Sequence, residues 1–207
     1  MTIKLKVYSD YTCPYCYLAE TAIKRAVEGK DVKVEWKPFE LHPFPSDRKA
    51  IKEWSADWET SVLPHARELG RTINTPDLPA LPYTGLAHQG FIYAKEQGKD
   101  QLYSQLVFSA FFEKGKDIEK KDVLAEIAME AGLDRSGFLS ALSSEEFKEK
   151  LVREQGEAKE DNITAAPTIV IGERVLKGLY PQASIEKAIR CTIRDQKMQF
   201  CEGDECQ

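Results

Sequence analysis

Apolar and polar positions alternate at the start of the chain, with Ile3, Leu5 and Val7 set against Lys4 and Lys6. A period of two is the spacing of a strand that buries one face, so residues 3–8 are expected to form one. After the turn Ser9-Asp10-Tyr11-Thr12-Cys13-Pro14 the spacing lengthens, and Leu18, Ala22, Ala26 and Val27 fall on one side of a helix that Gly29 ends. Alternation returns over Val32 to Phe39. Two strands joined by a helix form a βαβ unit, and a crossover of this length implies a parallel pair.

From residue 46 to residue 161 the periods are helical, and no stretch reads convincingly as a strand. Helices are expected over residues 51–69, 84–97, 102–112, 120–131 and 144–160, with Pro76, Pro79 and Pro82 marking a loop after the first. Ser143 or Ser144, followed by Glu146 and Phe147, marks a helix start. Strand character resumes only at Thr168-Ile169-Val170-Ile171, which turns at Gly172-Glu173 into Arg174-Val175-Leu176-Lys177 as a hairpin, and a helix over residues 183–194 follows. Two separated pieces must then meet in one sheet. The expected fold is α/β, with residues 1–45 and 162–195 forming the sheet-bearing part, residues 46–161 an all-helical insertion, and residues 196–207 a cysteine-containing tail.

A chain of 207 residues can bury a core without disulfide support. Its net charge of -5 arises from basic and acidic residues interleaved along the helical stretches, without the basic stripe that nucleic-acid binding requires. The first residues read as a strand, with no apolar leader or small-residue cleavage site, and no apolar run reaches membrane-spanning length. A cytoplasmic protein with no membrane or nucleic-acid partner is therefore expected. In that reducing compartment five cysteines, an odd number, suit catalysis, redox sensing or metal binding better than a disulfide scaffold.

Cys13-Pro14-Tyr15-Cys16 follows a strand directly and opens a helix. Unpaired backbone N–H groups and the helix dipole favour negative charge at such a start, and a thiolate at Cys13 is the natural occupant. Pro14 is tolerated there because its missing N–H removes no helical bond. Cys16, deeper in the helix, has fewer free N–H groups to stabilise an anion. The asymmetry makes Cys13 the attacking sulfur and Cys16 the resolving one. The competing reading is half of a zinc site, which needs two further ligands; His42, His65 and His88 are scattered, whereas Cys201 and Cys206 offer a second pair. The strand–turn–helix setting favours redox chemistry, which needs no metal and no cofactor.

The stretches Tyr8-Ser9-Asp10-Tyr11-Thr12-Cys13-Pro14-Tyr15-Cys16, Pro38-Phe39-Glu40-Leu41-His42-Pro43, Ala87-His88 and Ala166-Pro167-Thr168 resemble DsbA-like proteins of the thioredoxin superfamily, and within them the FrnE-like branch. The likeness extends to about residue 190. It implies a thioredoxin fold with a helical insertion over the active site, and dithiol–disulfide exchange with protein or small-molecule thiols, glutathione among them. It further implies that the Ala166–Pro167 bond is cis, faces the cysteine pair and leaves the preceding backbone free to pair with a bound peptide. Pro14, Tyr15, Ala166 and Pro167 are the expected substrate contacts. The chain departs from the better-known members at Val7, where they carry a buried carboxylate, leaving Asp10 and Glu40 as weak substitutes. Two other activities stay open. One is a glutathione-dependent isomerase or transferase of the hydroxychromene-carboxylate isomerase or kappa type, in which a resolving cysteine is not needed. The other is a non-catalytic redox-sensing holdase.

Cys201-Glu202-Gly203-Asp204-Glu205-Cys206 offers a second redox pair that can relay electrons to or from Cys13 and Cys16, although its three acidic residues slow exchange. Cys191, near Ile185, Ala188 and Ile189 in the helical period, is expected to be a buried structural thiol. Among the histidines, His88 is the one that can face the site from its helix, against the commoner reading of a satisfied core or surface histidine. Phe91, Tyr93, Leu106, Phe108, Phe111 and Phe112 recur at helical spacing and read mostly as core.

Overall fold

The computed structural model describes residues 2–203, and the side chains of residues 2–196. Strand β1 (Ile3–Ser9) leads into α1 (Pro14–Val27) and β2 (Val32–Pro38); the chain returns to the sheet as β3 (Thr168–Ile171) and β4 (Arg174–Lys177), then ends in α10 (Gln182–Gly203). The strand order is β2-β1-β3-β4. β1 and β2 run parallel, with Val7 opposite Trp36, while β3 is antiparallel to both β1 and β4. The α/β class and the sheet assembled from both ends of the chain are those expected from the sequence. Gly172, in the hairpin turn, has φ +57°, a left-handed conformation that glycine adopts without penalty.

Alternation along β1 sends Ile3, Leu5 and Val7 to one face, where they meet Ala19, Ala22 and Ile23 of α1 and Ile185 and Ile189 of α10. Tyr8 points the other way, to Ala158 and Ile163. The end of helix α10 differs from the sequence expectation. It continues through residues 195–203 because no proline or glycine interrupts the chain between Gln182 and Glu202. Its buried stripe is Ile185, Ala188, Ile189 and Thr192. Cys191 lies a quarter-turn off that stripe and is half-buried, so the expectation of a buried thiol is corrected.

Between β2 and β3 run α2 (Ile51–Trp54), α3 (Trp58–Ser61), α4 (Leu63–Leu69), α5 (Gly85–Glu96), α6 (Asp100–Phe112), α7 (Lys121–Glu130), α8 (Arg135–Ala141) and α9 (Glu145–Glu160). The single helix expected over residues 51–69 is broken into three. Pro64 cannot donate a helical hydrogen bond but is tolerated in a helix's first turn, and α4 starts afresh at Leu63 just before it. The breaks let Trp54 and Trp58 meet edge-on, with ring centroids 4.6 Å apart, and reach Phe112. Helix α8 was not anticipated; Asp134 caps it by accepting from the Gly137 N–H at 2.6 Å. No helix among the described residues is long and apolar enough to cross a membrane.

Candidate active site

Cys13 is the N-cap of α1, in extended backbone with φ −85° and ψ 114°. The helix begins here because Pro14 supplies the right φ at the first position and the Cys13 carbonyl accepts from the Tyr17 N–H at 3.2 Å. The cap is a sulfur: Cys13 Sγ accepts from the Cys16 N–H at 3.4 Å. The same thiol lies 3.5 Å from the Ala166 carbonyl oxygen, to which it donates. Residues 153 positions apart in sequence thus meet at one sulfur. The Ala166–Pro167 bond is cis, as the sequence reading expects. Pro167 is buried and its carbonyl accepts from the Gly178 N–H at 2.8 Å, which ties the segment to the end of β4.

The two sulfurs differ in surroundings. Cys13 is 4% exposed, whereas Cys16 is wholly buried. Burial pushes the Cys16 thiol well above its ordinary value, and the hydrogen bond and charge of Cys13 push it further; the Asp10 N–H, 3.5 Å from Cys16 Sγ, and the Ser9 hydroxyl oppose the rise. Cys16 therefore stays protonated at neutral pH.

Asp10 orders the turn that carries both cysteines. Its carbonyl accepts from the Cys13 N–H at 3.2 Å, and its carboxylate accepts from the N–H and hydroxyl of Thr12 and, at 2.5 Å, from the Leu41 N–H. With its oxygens so occupied, Asp10 holds the turn in place, a part that the sequence reading missed. A short polar residue two positions before a threonine, in a turn, is the signal that could have shown it. Val7 is wholly buried among aliphatic side chains, so no carboxylate lies beneath the pair at that point of β1. Glu40 accepts from the Gln155 amide at 2.7 Å, and its carboxyl is raised, chiefly by burial and further by the charge of Asp10.

Tyr15 is half-buried, and its hydroxyl donates to the Ser61 carbonyl at 3.2 Å, tying α1 to the insertion. His88, on α5, is 3% exposed and stands against Tyr11 with ring centroids 4.7 Å apart. Burial lowers its pKa to about 4, and the charge of Asp10 only partly compensates. Phe91, Phe108, Phe111 and Phe112 are core, while Tyr93 and Leu106 are partly buried at its edge. Of the tail pair, Cys206 lies outside the described residues, and of Cys201 only the helical backbone is described. No group of three or more His, Cys, Asp or Glu side chains comes together in a metal-binding arrangement among the described residues.

This chain is 42% identical over 193 residues to the uncharacterized protein YwbO of Bacillus subtilis (strain 168), spanning 91% of this chain and 96% of that one. Its fold is similar to that of a probable DsbA oxidoreductase from Streptomyces coelicolor, with a TM-score of 0.81 at 21% identity over 92% of this chain and 90% of the other. It is also similar to the cytosolic disulfide reductase DsbM of Pseudomonas aeruginosa, solved with GSH, with a TM-score of 0.68 at 17% identity over 95% and 98% of the two chains. Residues 4–190 match the model of the DSBA-like thioredoxin domain, and the chain belongs to that family.

Proposed function

We propose that the protein is a thiol–disulfide oxidoreductase in which Cys13 attacks and Cys16 resolves. One observation carries this reading: Cys13 Sγ caps α1, accepting the Cys16 N–H at 3.4 Å, and meets the Ala166 carbonyl at 3.5 Å. A sulfur at a helix start is placed where a thiolate is favoured, and one beside a carbonyl of the segment before β3 is placed where an extended substrate can lie.

In the reductive direction the Cys13 sulfur attacks one sulfur of a substrate disulfide, forming a mixed disulfide and releasing the first substrate thiolate. Cys16 then attacks Cys13, closing the Cys13–Cys16 disulfide and releasing the second. Two electrons pass from the pair to the substrate, and the reverse sequence oxidises a dithiol. Burial keeps Cys16 from competing in the first step. Pro14, Tyr15, Ala166 and Pro167 form the surface that a peptide meets. Substrates are protein or small-molecule thiols and disulfides, glutathione among them, and the likeness to a cytosolic reductase solved with GSH supports both that partner and a cytoplasmic setting. Cys201 and Cys206 act as a second pair that exchanges electrons with the first; replacing both with Ser is expected to slow turnover and leave the helix-capped pair chemically intact.

Insulin reduction and refolding of scrambled ribonuclease test the reading. Cys13→Ser is expected to abolish both, and Cys16→Ser to leave substrate trapped on Cys13. Full turnover in Cys16→Ser would instead point to a glutathione-dependent isomerase or transferase, and no turnover in the unaltered protein would point to a redox-sensing holdase.

A further inference from the structure

The segment that carries Ala166 has both of its ends fastened to one residue. Tyr8 of β1 stands opposite Thr168, the first residue of β3, in the register of the sheet, and its hydroxyl donates to the Asp161 carboxylate at 2.5 Å. Asp161 is the C-cap of α9, and the same carboxylate oxygen accepts from the Lys6 ammonium at 2.9 Å. Residues 162–167 thus run between two points of contact with Tyr8. Within them the Ala166 carbonyl stands 3.5 Å from Cys13 Sγ.

An acid is out of place at the end of α9. The helix closes in a Schellman turn: the Asn162 and Ile163 N–H groups donate to the carbonyls of Lys159 and Ala158 at 3.1 and 2.8 Å, and Ile163 clusters with Ala158. Asn162 takes the left-handed conformation, φ 54°, that such a turn needs. The carbonyls of a helix end carry partial negative charge, which disfavours a carboxylate there. What accounts for Asp161 is its pair of partners on β1, and first Lys6, then Tyr8, hold its carboxyl below the usual range. Tyr8 is wholly buried in a cluster with Ala158 and Ile163; burial, reinforced by Asp161, pushes its phenol up, so the hydroxyl stays a donor.

Resting on the dithiol reading above, we propose that the Tyr8–Asp161 contact is a latch that sets the Ala166 backbone against Cys13 and so favours extended polypeptide disulfides over small ones. The two ends of the segment are held differently. At the β3 end the Thr168 hydroxyl donates to the Ala165 carbonyl at 2.7 Å, and the Gly178 N–H donates to the Pro167 carbonyl at 2.8 Å, so the sheet itself fixes the chain. At the α9 end it is side chains of β1 that hold it. A peptide that lays its backbone along Ala166 needs that backbone in place, whereas a small disulfide needs to reach only the Cys13 sulfur. Tyr8 and Asp161 are positioning residues, because neither touches substrate.

The test is stopped-flow reaction of the full, reduced protein with two disulfides that release the same thiopyridone. One is 4,4′-dithiodipyridine; the other is an extended peptide of about ten residues whose cysteine carries a 4-thiopyridyl group. Tyr8→Phe removes only the hydroxyl and keeps the ring. It is expected to raise the half-saturating peptide concentration about five- to tenfold, with the limiting rate and the rate with the small disulfide kept within about twofold. Asp161→Ala is expected to give the same rise and, lying at the surface, decides the matter where Tyr8→Phe fails to fold. The double variant Tyr8→Phe/Asp161→Ala should rise no further, since one latch opens only once. Asp161→Asn keeps an acceptor for the Tyr8 hydroxyl and should stay within about threefold of the unaltered protein. Peptide saturation unchanged in the single variants, equal losses with both disulfides, or rises that add in the double variant overturn the proposal. No thiopyridone release by the unaltered protein overturns the dithiol reading itself, and the proposal with it.

Discussion

The sheet-bearing part and the helical insertion bury different chemistry. Around the sheet the core is aliphatic, with Ile3, Leu5, Val7, Ile169 and Ile171 facing Ala22, Ile23, Ile185 and Ile189. In the insertion aliphatic side chains pack around a group of rings, among them Trp58, Tyr103, Phe108, Phe111, Phe112 and Phe138. Helix α1 belongs to both. Ala19, Ala22, Ile23 and Ala26 face the sheet, while Cys16, Tyr17 and Leu18 join the aromatic cluster. The small residues let α1 lie close on the sheet, and the rings set the cover over its first turn. The cysteine pair therefore sits on a seam: the segment that leads into β3 supplies the Ala166 carbonyl, and the cluster that holds Tyr17 and Phe108 supplies burial around Cys16.

If the ring cluster governs the site, the largest effect comes from cutting it. Phe108 lies 5.0 Å from Tyr11, ring to ring, and is 1% exposed. Phe108→Ala is expected to cost about 3–5 kcal/mol in urea unfolding and to lower insulin reductase activity, since Tyr11 loses its backing. Next is Gly90, where an added Cβ would collide with the Tyr103 hydroxyl oxygen and stand 2.7 Å from the Phe138 ring. Gly90→Ala improves helix propensity, yet it is expected to destabilise by about 1–3 kcal/mol by the same measurement, because α5 can approach α6 and α8 this closely only without a side chain.

In the aliphatic half, Ile171→Val is expected to cost about 0.5–1.5 kcal/mol with little change in reductase activity. A larger loss of activity than of stability there would erase the distinction between the two halves. The smallest effect concerns Glu40, whose carboxyl is raised by burial. A folded-state pKa above the unfolded value means that the folded protein binds the proton more tightly. Ionised Glu40 thus weakens the fold at neutral pH, and this weakening fades as pH falls through the folded pKa towards the ordinary value of 4.5. Glu40→Gln should raise the melting temperature slightly at pH 7 and leave it unchanged near pH 4; equal effects at both pH values would argue against the assignment.

The sheet was legible in the sequence because its signals are local: alternation in β1 and β2, an apolar run with a Gly-Glu turn for the hairpin, and Cys13-Pro14 at a strand-to-helix junction. The insertion was legible as helix but not in its breaks. Trp54 and Trp58 keep helical spacing across the interruption at residues 55–57, so periodicity alone runs the short helices together. Helix α8, with only Phe138 and Ala141 buried, is too short for a strong period. Within the site, the two cysteines and Pro167 declared themselves by motif. The part played by Asp10 was legible only in its local contact with Thr12; its hold on the Leu41 N–H depends on which backbone groups the fold brings together.

The most direct test of unequal roles for the two sulfurs is mass spectrometry of Cys16→Ser and Cys13→Ser after brief exposure to glutathione disulfide at neutral pH. An adduct that accumulates on Cys13 in the first variant, with Cys16 almost unmodified in the second, is the predicted result; equally rapid modification of Cys16 in the second would contradict it.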